Sequence, residues 1–303
     1  MKNVRSLIIT AIIITAFLAA AGCTGNSPQP GSSYTVSPEG VLSLTCGPVT
    51  TDETVIVSNA SYTKSRIVLH TENGDVVTYL SVPESPKAAV VYSPGAGETV
   101  AGHDARMARF ASEGYAFLFT DTRGNGGETS GMPFGQQMVQ SDYTLFEKGA
   151  MPQYYLSVCD LVAAQELLSE RYHVPVYAMG SSNGGRYAAV AAGVDPGFAG
   201  YVGISTSDWG LRESLIGQGI SGEPLRFTSS IEPGTYIGRI APRPVWIFYS
   251  TTDPIIPVAE GKELFEKAND PRFFREFEGS HGINSDVDEK ILQDWAQIYA
   301  PRG

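Results

Sequence analysis

The sequence predicts an α/β protein with a mostly parallel central sheet, an antiparallel N-terminal edge, helices on both faces and a small or minimal cap. Three observations carry this expectation. From about residue 54 onward, short β-rich runs alternate with helical stretches, the pattern of a sheet covered by helices. The inner runs, Ala88 to Tyr92 (AAVVY) and Tyr115 to Thr120 (YAFLFT), are continuously apolar, as strands buried on both faces must be. The first three runs, in contrast, follow one another with no helix between them and so read as antiparallel.

Those first runs are Thr54 to Ser58, Ser65 to His70 and Val76 to Val82, the last two joined across Glu72-Asn73-Gly74-Asp75, where Asn-Gly signals a hairpin. After AAVVY come Ser93-Pro94-Gly95-Ala96-Gly97 and a helix near Asp104 to Glu113. Leu156, Asp160, Ala163, Ala164, Leu167 and Leu168 give helical spacing to Tyr154–Tyr172, and Val174 to Met179 is again a buried strand. A small-residue helix (Gly184 to Ala192), a strand (Tyr201 to Ser205), a strand (Val245 to Tyr249), a helix (Val258 to Ala268), a strand (Phe273 to Phe277) and a helix (Asp286 to Tyr299) complete the order. Gly124 to Pro152 and Ser207 to Arg239 show no clear periodicity and read as loops or a cap over a site. No repeat or second-domain linker interrupts the series.

The N-terminus obeys another logic. Lys2 and Arg5 precede an uncharged run from Ser6 to Ala21, followed by Gly22-Cys23-Thr24-Gly25, the layout of a signal peptide. Ala20-Ala21-Gly22-Cys23 resembles the lipobox of prokaryotic lipoproteins, and the resemblance implies that Cys23 is diacylated and becomes the new N-terminus. The alternatives are ordinary cleavage, giving a secreted protein, and an uncleaved anchor. The last is disfavoured because the apolar run falls short of the roughly 20 residues that span a hydrocarbon core. Gly, Ser, Pro, Asn and Gln then dominate residues 24 to 40, the composition of a flexible tether. The expected division is a signal peptide at 1–22, a lipid-anchored tether at 23–50 and one folded domain at 51–303, anchored to the outer face of the cell membrane.

The formal net charge of −11 disfavours nucleic acid and anionic lipid as electrostatic partners. The four histidines are scattered, no paired cysteine spacing exists and the Gly-rich segments lack a P-loop lysine or a full dinucleotide fingerprint, so neither metal nor cofactor is expected. Besides Cys23 there are Cys46 and Cys159, for which a disulfide and two buried thiols both stay open.

The chemistry gathers at Gly180-Ser181-Ser182-Asn183-Gly184, a G-x-S-x-G motif. It closes a strand (VPVYAM) and opens an Ala-rich helix, the context in which a sharp turn exposes the central serine hydroxyl. A serine needs a base to take its proton, and with this motif the partners follow in the order Ser, acid, His. Of His70, His103, His173 and His281, only His281 lies beyond Ser182, in the loop before the final helix. Asp253 follows the strand VWIFY, where its carboxylate emerges at the same sheet edge as Ser182 and can orient His281. Asp208, after the preceding strand, is the rival, and an Asx turn is the alternative use of an Asp before Pro. For a tetrahedral oxyanion the backbone N–H groups of Asn183 and Ala96 are the candidates, with Gly95 and Gly97 open beside Ala96.

Together these residues resemble the α/β-hydrolase family, over about Lys64 to Tyr299. Asp121-Thr122-Arg123-Gly124-Asn125-Gly126-Gly127-Glu128-Thr129-Ser130 is similar to the D-x-R-G-x-G-x-S segment of many members, with one extra residue before the serine. Where members carry His-Gly before the oxyanion residue, this chain has Pro94-Gly95. The resemblance implies a serine hydrolase with Ser182, His281 and Asp253 as its triad, acting on a small-molecule ester or other acyl substrate. A serine peptidase of similar fold and a catalytically silent surface-binding protein are the competing expectations. Trp209, Phe134 and Tyr143 are candidate pocket aromatics, ordinary packing being the alternative.

Overall fold

The computed structural model describes residues 31–299. The expected signal peptide and Cys23 therefore lie outside the described residues, as does the expected tether before residue 31. From there the chain is already folded, in contrast to the expected tether. Strands β1 (Ser33–Val36) and β2 (Leu42–Thr45) pair antiparallel as a separate two-stranded sheet. Leu42 is buried, Tyr34 packs edge-on against Tyr155, and Cys46 is disulfide-bonded to Cys159. A polar stretch is thus held down by two apolar anchors and a covalent bond, which composition alone does not reveal.

The main sheet has nine strands in the order β11-β10-β9-β8-β6-β7-β5-β4-β3. Strands β6 (Ala88–Ser93), β7 (Tyr115–Thr120), β8 (Val176–Ser181), β9 (Gly200–Ile204), β10 (Val245–Ser250) and β11 (Arg272–Phe277) run parallel. Strands β3 (Thr50–Ser58), β4 (Thr63–Thr71) and β5 (Gly74–Val82) extend the sheet antiparallel beyond β7, as the sequence predicts. Among the described residues β3 pairs with β4 alone and is exposed along its whole length, with a register shift between Val55 and Val57 that twists the edge.

Strand residues alternate between two apolar layers because successive side chains point to opposite faces. Ala88, Val90 and Tyr92 of β6 face helices α1 (Asp104–Ser112) and α9 (Ser285–Ile298), through Met107, Phe110, Ile291 and Trp295. Ala89 and Val91 face α3 (Gln153–Tyr172) and α4 (Ser182–Val194), through Val158, Ala164, Ala188 and Ala191. Covering both faces explains why the inner strands are apolar without a break.

Both stretches expected to be irregular contain helices. Residues 124–152 hold α2 (Gln136–Glu147), and 207–239 hold α5 (Leu211–Gly217), α6 (Glu223–Ser230) and α7 (Pro233–Tyr236). The helices of 207–239, of one or two turns, are too short to display a 3.6-residue period, and Phe227, Tyr236 and Ile237 are core residues. Helix α8 (Val258–Glu266) lies between β10 and β11. Among the described residues no helix is long and apolar enough to cross a membrane.

Candidate active site

The chain leaves central β6 to make β7 on one side, then returns to make β8 on the other, so the loops after β6 and β8 diverge from adjacent strand ends. Such a reversal opens a crevice at the carboxyl edge of a parallel sheet. Ser93 pairs with Gly180, which sets the turn at 94–98 beside the start of α4.

At the β8–α4 junction Ser182 has φ +50°, a left-handed conformation that costs a non-glycine residue about 1–3 kcal/mol. The glycines around it make the turn sterically possible. A Cβ on Gly184 would lie 1.9 Å from the Ser93 carbonyl oxygen, and one on Gly180 would lie 2.4 Å from the Gly184 backbone. Thr206 Oγ1 donates to the Ser182 carbonyl at 2.8 Å, bracing the turn from the end of β9.

The Ser182 hydroxyl lies 2.8 Å from His281 Nε2, and His281 Nδ1 lies 2.7 Å from Asp253 Oδ2. The Asp253 carboxylate is fully buried, whereas the His281 side chain is one-fifth exposed. The other oxygen, Oδ1, accepts the backbone N–H groups of Ile255 and Ile256 at 2.8 and 2.9 Å, so Asp253 forms an Asx turn and meets His281 at once. The rival Asp208 is engaged elsewhere, with Lys267 and the Gly234 N–H. The histidine loop is held by Thr252 Oγ1 on the Gly279 carbonyl and by Asn284, whose side chain donates to the Glu278 carbonyl and caps α9.

Asn183 is the second residue of α4, and its N–H belongs to the first turn, where helix donors have no intrahelical acceptor. In the turn after β6, Gly95 N–H is bonded to Glu98 Oε2 at 2.9 Å and Gly97 N–H to Asn125 Oδ1 at 2.9 Å. Of the three candidate donors this leaves Ala96, which is exposed. Ser182, His281 and Asp253 are therefore brought together, and the Ala96 turn and Asn183 flank them.

Two residues of this arrangement escape a reading of the sequence. Asn125 also donates to the carbonyls of Gly95 and Glu98, both at 3.0 Å, so its amide clamps the turn from the loop after β7. A hydrogen-bonding side chain inside the D-x-R-G-x-G-x-S stretch, in the loop after the strand adjoining β6, was the available signal. Glu98 collects donors from Tyr92, Ser181 and His103 besides Gly95. Burial pushes its carboxyl up, but the hydrogen bonds from His103 and Gly95 outweigh burial and leave it below the ordinary Glu value. Elsewhere in the segment Asp121 accepts the Thr129 N–H and Arg123 pairs with buried Asp160.

The aromatic candidates separate. Phe134 and Trp209 stack at 4.3 Å, and the Arg186 guanidinium covers Trp209 at 3.8 Å, which joins the two formerly irregular stretches to α4 four residues after Ser182. Tyr143 is a core residue beside Phe227. Among the described residues no group of three or more His, Cys, Asp or Glu is arranged to hold a metal.

Residues 84–214 match the family model for serine aminopeptidases of the S33 type. No curated protein sequence matches the chain. Among solved structures it is similar to the acetyl xylan esterase from Paenibacillus sp. R4, at 17% identity and TM-score 0.66, over 83% of this chain and 89% of that one. Acetyl xylan esterase 1 from Thermoanaerobacterium sp. JW/SL YS485 aligns at 12% identity and TM-score 0.63, over 84% and 89% of the two chains. The glucuronoyl esterase from Solibacter usitatus aligns at 12% identity and TM-score 0.58, over 96% and 92%. With its sheet order, its elbow turn and these structural likenesses, the chain has the α/β-hydrolase fold.

Proposed function

We propose that the protein is a serine hydrolase that cleaves carboxylic esters by acyl transfer. The observation that carries this reading is the continuous hydrogen-bonded line from buried Asp253 through His281 to the Ser182 hydroxyl. His281 Nδ1–H donates to Asp253, which leaves Nε2 to accept the Ser182 proton as Oγ attacks the substrate carbonyl. The N–H groups of Ala96 and Asn183 receive the oxyanion, the leaving alcohol takes the proton from His281, and water then releases the acyl group by the same steps. The named esterases of similar fold favour an ester, while the aminopeptidase-type family description keeps peptide amides as the second reading.

The reaction takes place outside the cytoplasm, on a protein tethered to the membrane by lipid on Cys23. Support comes from the Cys46–Cys159 disulfide, a bond that persists in oxidising compartments. The test combines both levels. The soluble form starting after Cys23 is treated with a fluorophosphonate probe, alongside Ser182→Ala and His281→Ala, and then offered p-nitrophenyl esters of graded chain length and aminoacyl p-nitroanilides. Labelling lost in both variants, with turnover of esters, is the expected result. A folded wild type that takes no label would sink the enzyme reading in favour of a surface-binding protein, and turnover of anilides alone would favour a peptidase. For the anchor, Cys23→Ser in the full chain should release the protein from the membrane fraction.

A further inference from the structure

We propose that Glu98 is the positioning residue of the turn after β6, its carboxylate selecting the Ala96 N–H as the donor presented to the nucleophile, and that His103, Arg106 and Asp288 hold that carboxylate in place. The inference rests on the esterase reading, since only a developing oxyanion gives the Ala96 N–H work to do.

The selection follows from where each backbone group of the turn finds its partner. Gly95 N–H goes to the Glu98 carboxylate and Gly95 C=O receives the Glu98 N–H and the Asn125 amide, while Gly97 N–H goes to Asn125. Ala96 N–H is left unbonded by its own turn. Gly95 is buried, so without Glu98 its N–H would lack a partner, and the Pro94–Gly95 peptide would gain by rotating towards another acceptor, turning with it the adjoining Gly95–Ala96 peptide that carries the Ala96 N–H. The site for the carboxylate is also shaped for it, because a Cβ on Gly95 would lie 2.9 Å from Glu98 Oε1.

Every group around the Glu98 carboxylate is a donor. Tyr92 Oη lies 3.0 Å away, Ser181 Oγ 3.1 Å and His103 Nε2 3.2 Å. The tautomer of His103 follows from its other side. Arg106 Nη1 lies 2.6 Å from His103 Nδ1, and a guanidinium only donates, so Nδ1 accepts and the proton sits on Nε2, aimed at Glu98. Arg106 Nε in turn meets both oxygens of Asp288 at 2.9 and 3.0 Å, in an ion pair whose side chains are 10% and 6% exposed. The polarity therefore runs one way, from the Asp288–Arg106 pair through His103 to Glu98 and the turn. Asp288 lies in the first turn of α9, the helix that begins directly after the His281 loop, and a Cβ on Gly282 would come 3.6 Å from Glu98 Oε1. One buried chain thus ties the oxyanion turn to the element that carries the catalytic base.

The test is Glu98→Met, which nearly keeps the size of the side chain but removes both carboxylate oxygens and so leaves the buried Gly95 N–H without its acceptor. Losing one oxyanion donor lowers kcat by about 10²–10³-fold, and that is the expected loss on p-nitrophenyl acetate, with KM within about threefold of wild type and the fluorophosphonate labelling rate falling in parallel. A folded variant with kcat within threefold of wild type, or one that raises KM alone, overturns the proposal while wild-type labelling keeps the esterase reading intact. A folded wild type that takes no label overturns both. If Glu98→Met does not fold, His103 decides. His103→Gln restores a donor facing Glu98 and should recover at least tenfold of the kcat lost in His103→Ala, whereas equal activity of the two variants overturns the proposal.

Discussion

Two Asp–His pairs in this molecule have nearly the same geometry and opposite surroundings. His281 Nδ1 lies 2.7 Å from Asp253, and His70 Nδ1 lies 2.8 Å from Asp75. The first pair sits at the carboxyl edge of the parallel strands, its aspartate side chain wholly buried and its second ring nitrogen on a serine hydroxyl. The second lies on the antiparallel wing, with Asp75 63% exposed and the other ring nitrogen on a second carboxylate, Asp52, itself 84% exposed. Distance therefore does not separate the pair proposed to be catalytic from a surface one. The third partner and the dielectric around the carboxylate do, because a charge in low dielectric acts on its neighbour undiminished by solvent.

The sharpest way to break this comparison is Asp253→Asn. The amide keeps the shape of the side chain but removes the charge and the preference for the Nδ1–H tautomer, so kcat on a p-nitrophenyl ester should fall by about 10⁴-fold with the fold intact. A loss smaller than tenfold would mean that Asp253 is an Asx-turn residue that happens to touch His281, and that burial of the pair carries no catalytic meaning.

The two regions also differ in how much of them could be read from the sequence. The elbow was legible because its requirements are local: Gly180 and Gly184 have no room for a Cβ, and the strand before and the helix after Ser182 are clear in pattern. Asp253 and His281 followed from chain order and strand ends. Selection of Ala96 was not legible, since it depends on Glu98 and Asn125 occupying the neighbouring N–H groups from across the fold. The same holds for Arg106 and Asp288, which are 182 residues apart. Composition misled at residues 33–45, where a polar tether was expected and a hairpin is pinned through Tyr34, Leu42 and the adjacent Cys46.

That covalent pin sharpens the comparison from the side of stability. Cys46 and Cys159 are separated by 113 residues, and closing a loop of that length removes about 4–5 kcal/mol of denatured-state entropy. The double variant Cys46→Ala/Cys159→Ala should therefore lose several kcal/mol in urea unfolding, with m somewhat increased because the denatured chain without the cross-link exposes more surface. Because every contact of the Asp253–His281–Ser182 line is made by the loops after β8, β10 and β11, kcat/KM should stay within twofold of wild type below the transition. A parallel fall in kcat/KM would show that the N-terminal cover, and not the local supports alone, sets the geometry of the site.

The smallest effect is expected at the exposed pair. Hydrogen bonds donated to Asp75 first, then to Asp52, raise the His70 pKa above its ordinary 6.5. A group whose folded pKa is raised stabilises the protein below its unfolded pKa, and the contribution disappears as pH rises through the folded value. In an NMR titration the His70 ring should accordingly titrate above 6.5, and Asp75→Asn should move it down. His70→Asn should narrow the difference in unfolding midpoint between pH 5.5 and pH 8 slightly, as expected of a solvated pair, and leave ester turnover unchanged. Lost turnover in folded His70→Asn would contradict the claim that surroundings separate the two pairs, because a solvated ion pair on the antiparallel wing would then be reaching the site across the full width of β5, β7 and β6.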